Sequence, residues 1–195
     1  MSYVYGPVPS RRLGRSLGID LVPFKTCSYD CTYCQLGPTT NMTLARRNWV
    51  PLDDVEAALG EKLASRPDYI TISGSGEPTL HAGLGTLIDR IRTMTDTPVA
   101  VLTNGSLLWD EDVRRELSNA SLVMPSLDAG NSRTFAKINR PHADLSFASV
   151  LQGLVKFREA FRGAYWLEVL LLDGYTDTAG ELYDLKRCIE YIRPD

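Results

Sequence analysis

The chain has 195 residues, of which 44% are hydrophobic and 23% are charged, and its formal net charge is −3. This length suits one domain with a real core, and no apolar run is long enough to cross a bilayer. The small negative charge gives no support for extended binding along nucleic acid. The first residues lack the pattern of a secretory signal, so we expect a cytoplasmic protein without a membrane partner, whose clustered cysteines bind metal.

Predicted strands recur along the chain. Residues 1–15 are rich in Pro, Gly and Arg and are expected to form an extended N-terminal arm. Alternating apolar and small or polar residues predict a strand over 16–22, which Pro23 ends. Residues 39–50 are ambiguous between a short strand pair and a loop. Nearly continuous apolar runs predict four further buried strands, over 69–72, 98–102, 121–127 and 165–172.

Helical patterns fill the intervals between these strands. An apolar face with acidic residues in its first turn predicts a helix from Leu52. Similar patterns predict helices over 83–94, around Val113, over 133–138 and 147–161, and from Leu182 to Ile192. Because parallel neighbours need a crossover, this alternation indicates a parallel sheet. We therefore predict a single α/β domain over residues 1–195, either open or curled into part of a barrel.

Polar and glycine-containing runs follow four of the predicted strands. In parallel α/β folds the carboxyl ends of the strands form the edge at which ligands bind. The sequence therefore predicts one site built from several segments. The runs are the cysteines after the first strand, then 73–78, 103–105 and 126–130.

Three cysteines, Cys27, Cys31 and Cys34, lie within eight positions. Such soft sulfur ligands favour zinc, copper(I) or an iron–sulfur cluster. A closed zinc site needs four ligands, commonly in two separated pairs. An iron–sulfur cluster held by three cysteines, with one iron open, fits the count better, although structural cysteines and zinc ligands remain alternatives. The side chains that could complete a zinc site are His81, His142 and Cys188, each of which is more simply explained by a loop or by packing.

The cysteine motif, with Tyr33 directly before Cys34, resembles the signature of the radical S-adenosylmethionine (SAM) superfamily. Residues 75–78, Ser-Gly-Glu-Pro, are similar to that superfamily's Gly-Gly-Glu-Pro motif with Ser in place of the first Gly. Residues 103–105 and 126–128 resemble positions in the branch that contains the molybdenum-cofactor and wybutosine-synthesis enzymes. Residues 5–14 resemble a group of Fe–S oxidoreductases related to the wybutosine enzymes.

This resemblance implies a 4Fe-4S cluster on Cys27, Cys31 and Cys34, whose open iron binds SAM. The implied activity is reductive cleavage of SAM to a 5′-deoxyadenosyl radical that acts on an unidentified substrate. A reducing partner such as flavodoxin or ferredoxin would supply the electron. The implied fold is a partial (βα) barrel with parallel strands, that is, a partial TIM barrel. Five strands are predicted where the superfamily usually has six, so the last strand unit is expected to be lacking.

The resemblance also implies a set of SAM contacts. Glu77 is expected to accept from the methionine ammonium, and Gly76 to let the backbone approach the ligand. Tyr33 is expected to contact the adenine. The remaining implied contacts are Gly74, Ser75, Thr103, Asn104, Ser126 and Asp128.

Several of these residues have simpler explanations. Gly74 and Gly76 could only form a tight turn, and Asp128 could cap the helix that follows it. Glu168, in an apolar strand, is costly to bury unpaired, so it either faces the site or bonds to a basic neighbour.

The function has alternatives of its own. A non-catalytic iron–sulfur protein could transfer electrons or carry a cluster, and a zinc module could be structural. Within the radical SAM class, the substrate could be a tRNA base, as Arg11, Arg12 and Arg15 near the cysteines suggest, or a partner protein that receives a glycyl radical.

Overall fold

A six-stranded sheet lies at the centre of the computed structural model, which describes residues 3–195. The first two strands along the chain form an antiparallel pair at one edge, and the remaining neighbours are parallel. In spatial order the strands are β1 (Val4–Ser10), β2 (Gly14–Asp20), β5 (Tyr69–Ser73), β6 (Val99–Thr103), β7 (Leu122–Pro125) and β8 (Ala164–Tyr165).

A separate pair of two-residue strands holds the first cysteine. Strand β3 (Thr26–Cys27) runs parallel to β4 (Asn41–Met42). The ambiguous stretch 39–50 therefore holds one two-residue strand, which pairs with β3 and not with a second strand inside the stretch, and is otherwise irregular. Because β3 follows β2 after only five residues, the cysteines begin close to the carboxyl edge of the large sheet.

The predicted helices are all present, with boundaries shifted by a few residues. Side-chain oxygens at the N-caps of four of them accept backbone N–H groups, which explains where these helices begin. The caps are Asp110, Asn131, Ser146 and Thr178. The helices are α1 (Leu52–Lys62), α2 (Leu84–Met94), α3 (Glu111–Leu117), α4 (Ser132–Ile138), α5 (Phe147–Ala160) and α6 (Ala179–Ile192), with 3-10 turns over Leu63–Ser65 and Pro78–Leu80.

Alternate residues of the parallel strands belong to two different apolar clusters. Val101 and Val123 join the main core under the helices, whereas their neighbours Ala100 and Leu122 join a smaller cluster with Leu13. Successive side chains of a strand point to opposite faces, so both faces of the sheet are covered. Among residues 3–195, no helix has the length and hydropathy needed to span a bilayer.

Two sequence-based expectations need correction. The stretch 165–172 is not one long strand, because regular pairing covers only Ala164–Tyr165, followed by a single bridge from Glu168 to Ser126. Beyond that bridge the backbone leaves the sheet, and the Leu170 N–H donates to the Asp128 side chain at 2.8 Å.

The N-terminal arm is part of the sheet, although its first two residues lie outside the described range. Residues Val4–Ser10 form the edge strand β1, with an irregularity in register between Tyr5 and Val8. Gly6, Pro7 and Pro9 interrupt the strand period in the sequence. An edge strand tolerates proline because one side of its backbone has no partner.

Candidate active site

The cysteine loop is fixed by backbone hydrogen bonds to a distant segment. The Thr32 N–H donates to the Ile138 carbonyl at 2.8 Å, and the His142 N–H donates to the Ser28 carbonyl at 2.9 Å. Within the loop, the Cys34 N–H donates to the Cys31 carbonyl at 3.1 Å. The connection between α4 and α5 therefore supports the loop from outside.

Each of the three cysteine sulfurs has a nitrogen donor from a different part of the chain. Lys25 Nζ lies 3.0 Å from Cys34 Sγ. The amide nitrogens of Asn104 and Asn139 lie 3.5 Å from the sulfurs of Cys27 and Cys31, respectively. The three cysteines are free and half-buried. Donors of this kind suit thiolates, which accept hydrogen bonds, and their number matches the number of sulfurs.

Burial raises the pKa of two of these thiols. The pKa of Cys27 rises to about 12, chiefly through burial and then through the nearby Glu77 carboxylate. Burial also raises the pKa of Cys31, although hydrogen bonds from Asn139 and Tyr33 oppose the effect. A bound metal group removes such protons, because its positive charge stabilises the thiolates.

The donor set fits a cluster better than a single ion. Across residues 3–195, no three His, Cys, Asp or Glu side chains are arranged to hold one metal ion. A tetrahedral zinc site needs its sulfurs around one atom, whereas a 4Fe-4S cluster takes each thiolate on a different iron. Three free cysteines with amide and ammonium donors on their sulfurs are therefore compatible with the cluster, and the zinc alternative gains no support.

The segment 74–76 is packed against the chain that leads into the cysteines. Ser75 donates from both its N–H and its hydroxyl to the Asp20 carboxylate, and its carbonyl accepts the Lys25 N–H at 2.7 Å. A Cβ on Gly76 would lie 1.9 Å from the Thr26 carbonyl oxygen. Gly74 has φ +119 and its absent Cβ faces Asp20. The close approach expected at Gly76 is thus made to the protein's own backbone.

Glu77 is buried and accepts hydrogen bonds from two neighbouring segments. Its side chain is 1% exposed, and its Oε1 accepts from the Thr79 N–H, the Thr79 hydroxyl and the Thr103 hydroxyl. Its Oε2 accepts the Asn104 N–H at 2.7 Å. Burial raises the pKa of Glu77, while the hydrogen bonds from Thr103 and Thr79 oppose that shift. The carboxylate therefore joins the 77–79 turn to the end of β6.

Two neighbouring cavities of about 170 and 370 Å³ open beside the cysteines. Their combined size suits a small molecule, since such sites measure roughly 300–1,000 Å³. The predicted residues that line both are Tyr33, Cys34, Ser126 and Asp128, while Cys31 and Asn104 line the smaller one. Neither cavity is lined by Cys27, Gly74, Ser75, Gly76, Glu77 or Thr103.

Asp128 connects the cysteine loop to the end of β7. Its Oδ2 accepts the Tyr33 hydroxyl and its Oδ1 accepts the Leu170 N–H. Burial raises the pKa of Asp128, and the hydrogen bond from Tyr33 opposes this shift. The proposed capping role is wrong, because Asn131 caps α4 instead.

Glu168 satisfies both of its expected alternatives. Its Oε1 lies 2.6 Å from Nη1 of Arg12, and the side chain lines the larger cavity. Arg15 is also engaged within the fold, because its guanidinium donates to the Ser65 carbonyl at 2.8 Å.

His81 is an interior residue and not a ligand of the site. It is fully buried, its Nε2 lies 3.0 Å from the Val50 carbonyl, and its Nδ1 accepts the Gly83 N–H at 3.0 Å. A backbone N–H can only donate, so the ring is neutral with its proton on Nε2. Burial lowers the pKa of His81; the nearby Arg46 acts in the same direction and Glu116 opposes it.

This environment predicts a pH-dependent stability. We expect the free energy of unfolding to fall as pH drops below 6.5, since the unfolded chain binds a proton that the folded His81 resists. The slope contributed by this one group is at most about 1.4 kcal/mol per pH unit. His81→Asn should remove that slope and keep an acceptor for Gly83, whereas the control His142→Asn should retain it. Urea unfolding across this pH range checks the prediction, and identical slopes in wild type and His81→Asn would contradict it.

Three residues of the site were missed by the sequence analysis. Lys25 was assigned no role in the site, and Asp20 was placed only within the predicted strand over 16–22. Asn139, which follows α4, carried no signal at all, since its contact with Cys31 joins positions 108 residues apart.

Known proteins resemble this chain over most of its length. A family model described as the radical SAM superfamily matches residues 21–185. The chain is 48% identical over 194 residues to a protein named GTPase Obg from Brachyspira hyodysenteriae. This alignment covers 98% of this chain and 28% of that protein. It is 38% identical over 199 residues to a UPF0026 protein of Methanocaldococcus jannaschii. This alignment covers 100% of this chain and 62% of that protein. The chain thus spans between 28% and 62% of the length of these relatives.

A solved structure of TYW1 with a lysine–pyruvate adduct bound shares the fold. The two chains superpose with a TM-score of 0.69 and 20% sequence identity, over 92% of this chain and 62% of the other. The prediction of an α/β partial barrel with parallel strands is confirmed, with the antiparallel β1 as an addition at its edge.

Proposed function

The chain belongs to the radical SAM superfamily, and from that premise we propose that it is an enzyme that cleaves SAM reductively and acts on an unidentified substrate. Cys27, Cys31 and Cys34 would hold the 4Fe-4S cluster. The observation that carries this proposal is the set of three free cysteines, each with a separate nitrogen donor on its sulfur, beside two neighbouring cavities that share four lining residues. When bound, the cluster supplies the electron that breaks a carbon–sulfur bond of SAM and yields methionine and a 5′-deoxyadenosyl radical.

The chain's own residues would position the cofactor and limit its exposure to water. Tyr33, Ser126 and Asp128 line both cavities and would contact SAM there. Asn104 would orient Cys27, since its amide also donates to the Ser28 hydroxyl at 2.9 Å. The remaining predicted contacts, Gly74, Ser75, Gly76, Glu77 and Thr103, would act by shaping this edge of the sheet.

The test is product formation by the reconstituted protein. After anaerobic cluster assembly, dithionite and SAM should yield 5′-deoxyadenosine, and Cys31→Ala should reduce the yield to background. The matched control is Cys188→Ala, because Cys188 is buried on α6 and its sulfur lies 3.4 Å from the Gly130 carbonyl, away from the loop. We expect that control to retain product formation. A cluster-loaded wild type that yields no 5′-deoxyadenosine would contradict the proposal.

A non-catalytic iron–sulfur protein is the alternative that the same preparation can exclude. Electron transfer or cluster delivery needs no SAM site, whereas the proposed enzyme binds SAM at the open iron. Addition of SAM should therefore change the electron paramagnetic resonance spectrum of the reduced cluster. An unchanged spectrum would favour the alternative.

The reducing partner and the substrate are separate proposals. A flavodoxin or ferredoxin would supply the electron in a cytoplasmic setting, where the cysteines stay reduced. A tRNA base is one candidate substrate, and salt-sensitive tRNA binding that depends on Arg11, Arg12 and Arg15 would support it. Two of these arginines already have partners within the fold, namely Glu168 and the Ser65 carbonyl.

A further inference from the structure

Lys25 is the one lysine or arginine among residues 3–195 whose side chain is buried. It is 3% exposed, and its ammonium lies 3.0 Å from Cys34 Sγ. In the described part of the chain, no carboxylate forms an ion pair with it. An isolated buried ammonium is costly, so this arrangement indicates that a negative group belongs beside it.

The backbone holds Lys25 in this position. Its φ of +58 is a left-handed conformation that a residue with a side chain seldom adopts. Its N–H donates to the Ser75 carbonyl at 2.7 Å, and its carbonyl accepts the N–H groups of Thr40 and Asn41. Such a conformation persists where the surroundings fix it, as they do here. The backbone conformation therefore directs the Lys25 side chain into the site, so its burial does not result from a surface side chain folding inward.

Two buried carboxylates, Glu77 and Asp128, lie at the same edge of the sheet as Lys25. The other two sulfur donors, Asn104 and Asn139, are uncharged amides. Reduction adds one more negative charge to a cluster that three thiolates already hold. In this low-dielectric setting, the positive charge on Lys25 favours the more negative state.

We propose that Lys25 is the counter-charge of the cluster and raises its reduction potential. This inference rests on the proposed function, because it requires a cluster on Cys27, Cys31 and Cys34. One electron passes from the reductant to the cluster, and no bond is formed or broken. The Lys25 side chain, 3.0 Å from Cys34 Sγ, stabilises the product of that step, so that a weaker electron donor suffices. Hydrogen bonds to cluster sulfurs are a recognised determinant of such potentials.

The test measures the midpoint potential by a redox titration followed by electron paramagnetic resonance, without SAM. Lys25→Met and Lys25→Gln remove the charge, and Lys25→Arg keeps it. We expect each neutral variant to lower the equilibrium constant for reduction about tenfold, which is 59 mV for one electron. Lys25→Arg should stay closer to wild type than either of them. The control is Lys186→Met, which removes an exposed lysine on α6 and should leave the potential unchanged.

The outcomes separate this inference from the proposed function. Wild-type protein that takes up no cluster, or that forms no 5′-deoxyadenosine, defeats the proposed function. Wild-type protein that forms it, with both neutral variants within threefold of its equilibrium constant, overturns the role of Lys25 alone. A shift of threefold or more toward lower potential in the neutral variants supports it. Should both neutral variants fold as wild type yet lose the cluster that Lys25→Arg retains, the counter-charge is required even for binding, which also supports it.

Discussion

Replacing Gly76 with alanine is expected to lower the free energy of unfolding by about 2 kcal/mol or more, at the upper end of overpacking costs. The new Cβ would lie 1.9 Å from the Thr26 carbonyl oxygen and 2.8 Å from Val22 Cγ2. Thr26 is the first residue of β3, and its carbonyl also accepts the Glu77 N–H at 3.1 Å. Relief of the clash therefore has to move the strand that carries Cys27, and iron uptake should fall together with stability.

Gly180→Ala is the matched control for this change. Gly180 lies in the first turn of α6, and nothing is within 4 Å of its absent Cβ. Alanine favours a helix over glycine by up to about 1 kcal/mol, so this variant should be neutral or slightly more stable. Chemical unfolding and iron content of both variants check the prediction. A Gly76→Ala protein as stable as wild type and fully loaded with iron would show that β3 can move aside at little cost.

Glu77→Gln is expected to cost about 3 kcal/mol in the free energy of unfolding even before any cluster or SAM is added, because it weakens several hydrogen bonds to a buried charged group. Four hydrogen-bond donors converge on the buried carboxylate. Two of them are backbone N–H groups, which can donate a hydrogen bond but cannot accept one. The glutamine amide has one oxygen and would direct its NH₂ group at donors. The contact that joins the 77–79 turn to Thr103 and Asn104 should therefore be lost.

The control for this second change is Glu61→Gln, an exposed carboxylate on α1. It should leave stability within about 0.5 kcal/mol of wild type. Urea unfolding of the cluster-free proteins, followed by SAM binding to the loaded ones, separates two roles. A Glu77→Gln protein with unchanged apo stability but weakened SAM binding would contradict the structural role and support the predicted contact with the methionine ammonium.

The regular part of the fold was predictable because burial leaves a clear pattern. Strand β2 alternates apolar with small or polar residues, β5, β6 and β7 are nearly continuous apolar runs, and capping residues mark where helices begin. The stretch 165–172 was overpredicted because its apolar character reflects partial packing at the rim and not continued pairing. Strand β1 was not predicted because Pro7 and Pro9 are typical of loops. An edge strand can contain them, since one side of its backbone has no partner.

The residues of the candidate site were predictable where they lie together in a short sequence motif. They were not predictable where only tertiary contacts bring them together. The spacing of the three cysteines gives their possible role directly. The partner of Cys31 is a neutral amide at the end of α4, and only packing brings Asn139 there. The sequence also assigns a general role to Glu77 from its motif, whereas its four donors depend on how two turns meet.

The attachment of the cysteine loop to the α4–α5 connection has a consequence for how the protein matures. The amides of Asp30 and Thr32 bond to the carbonyls of Ile138, Asn139 and Arg140, so the loop cannot order itself without that connection. Metal binding contributes directly to folding energy wherever the ligands are not preformed in the unfolded chain. A cluster held by the loop would therefore help to fix two regions that are more than a hundred residues apart, and oxidative damage to that cluster would loosen both.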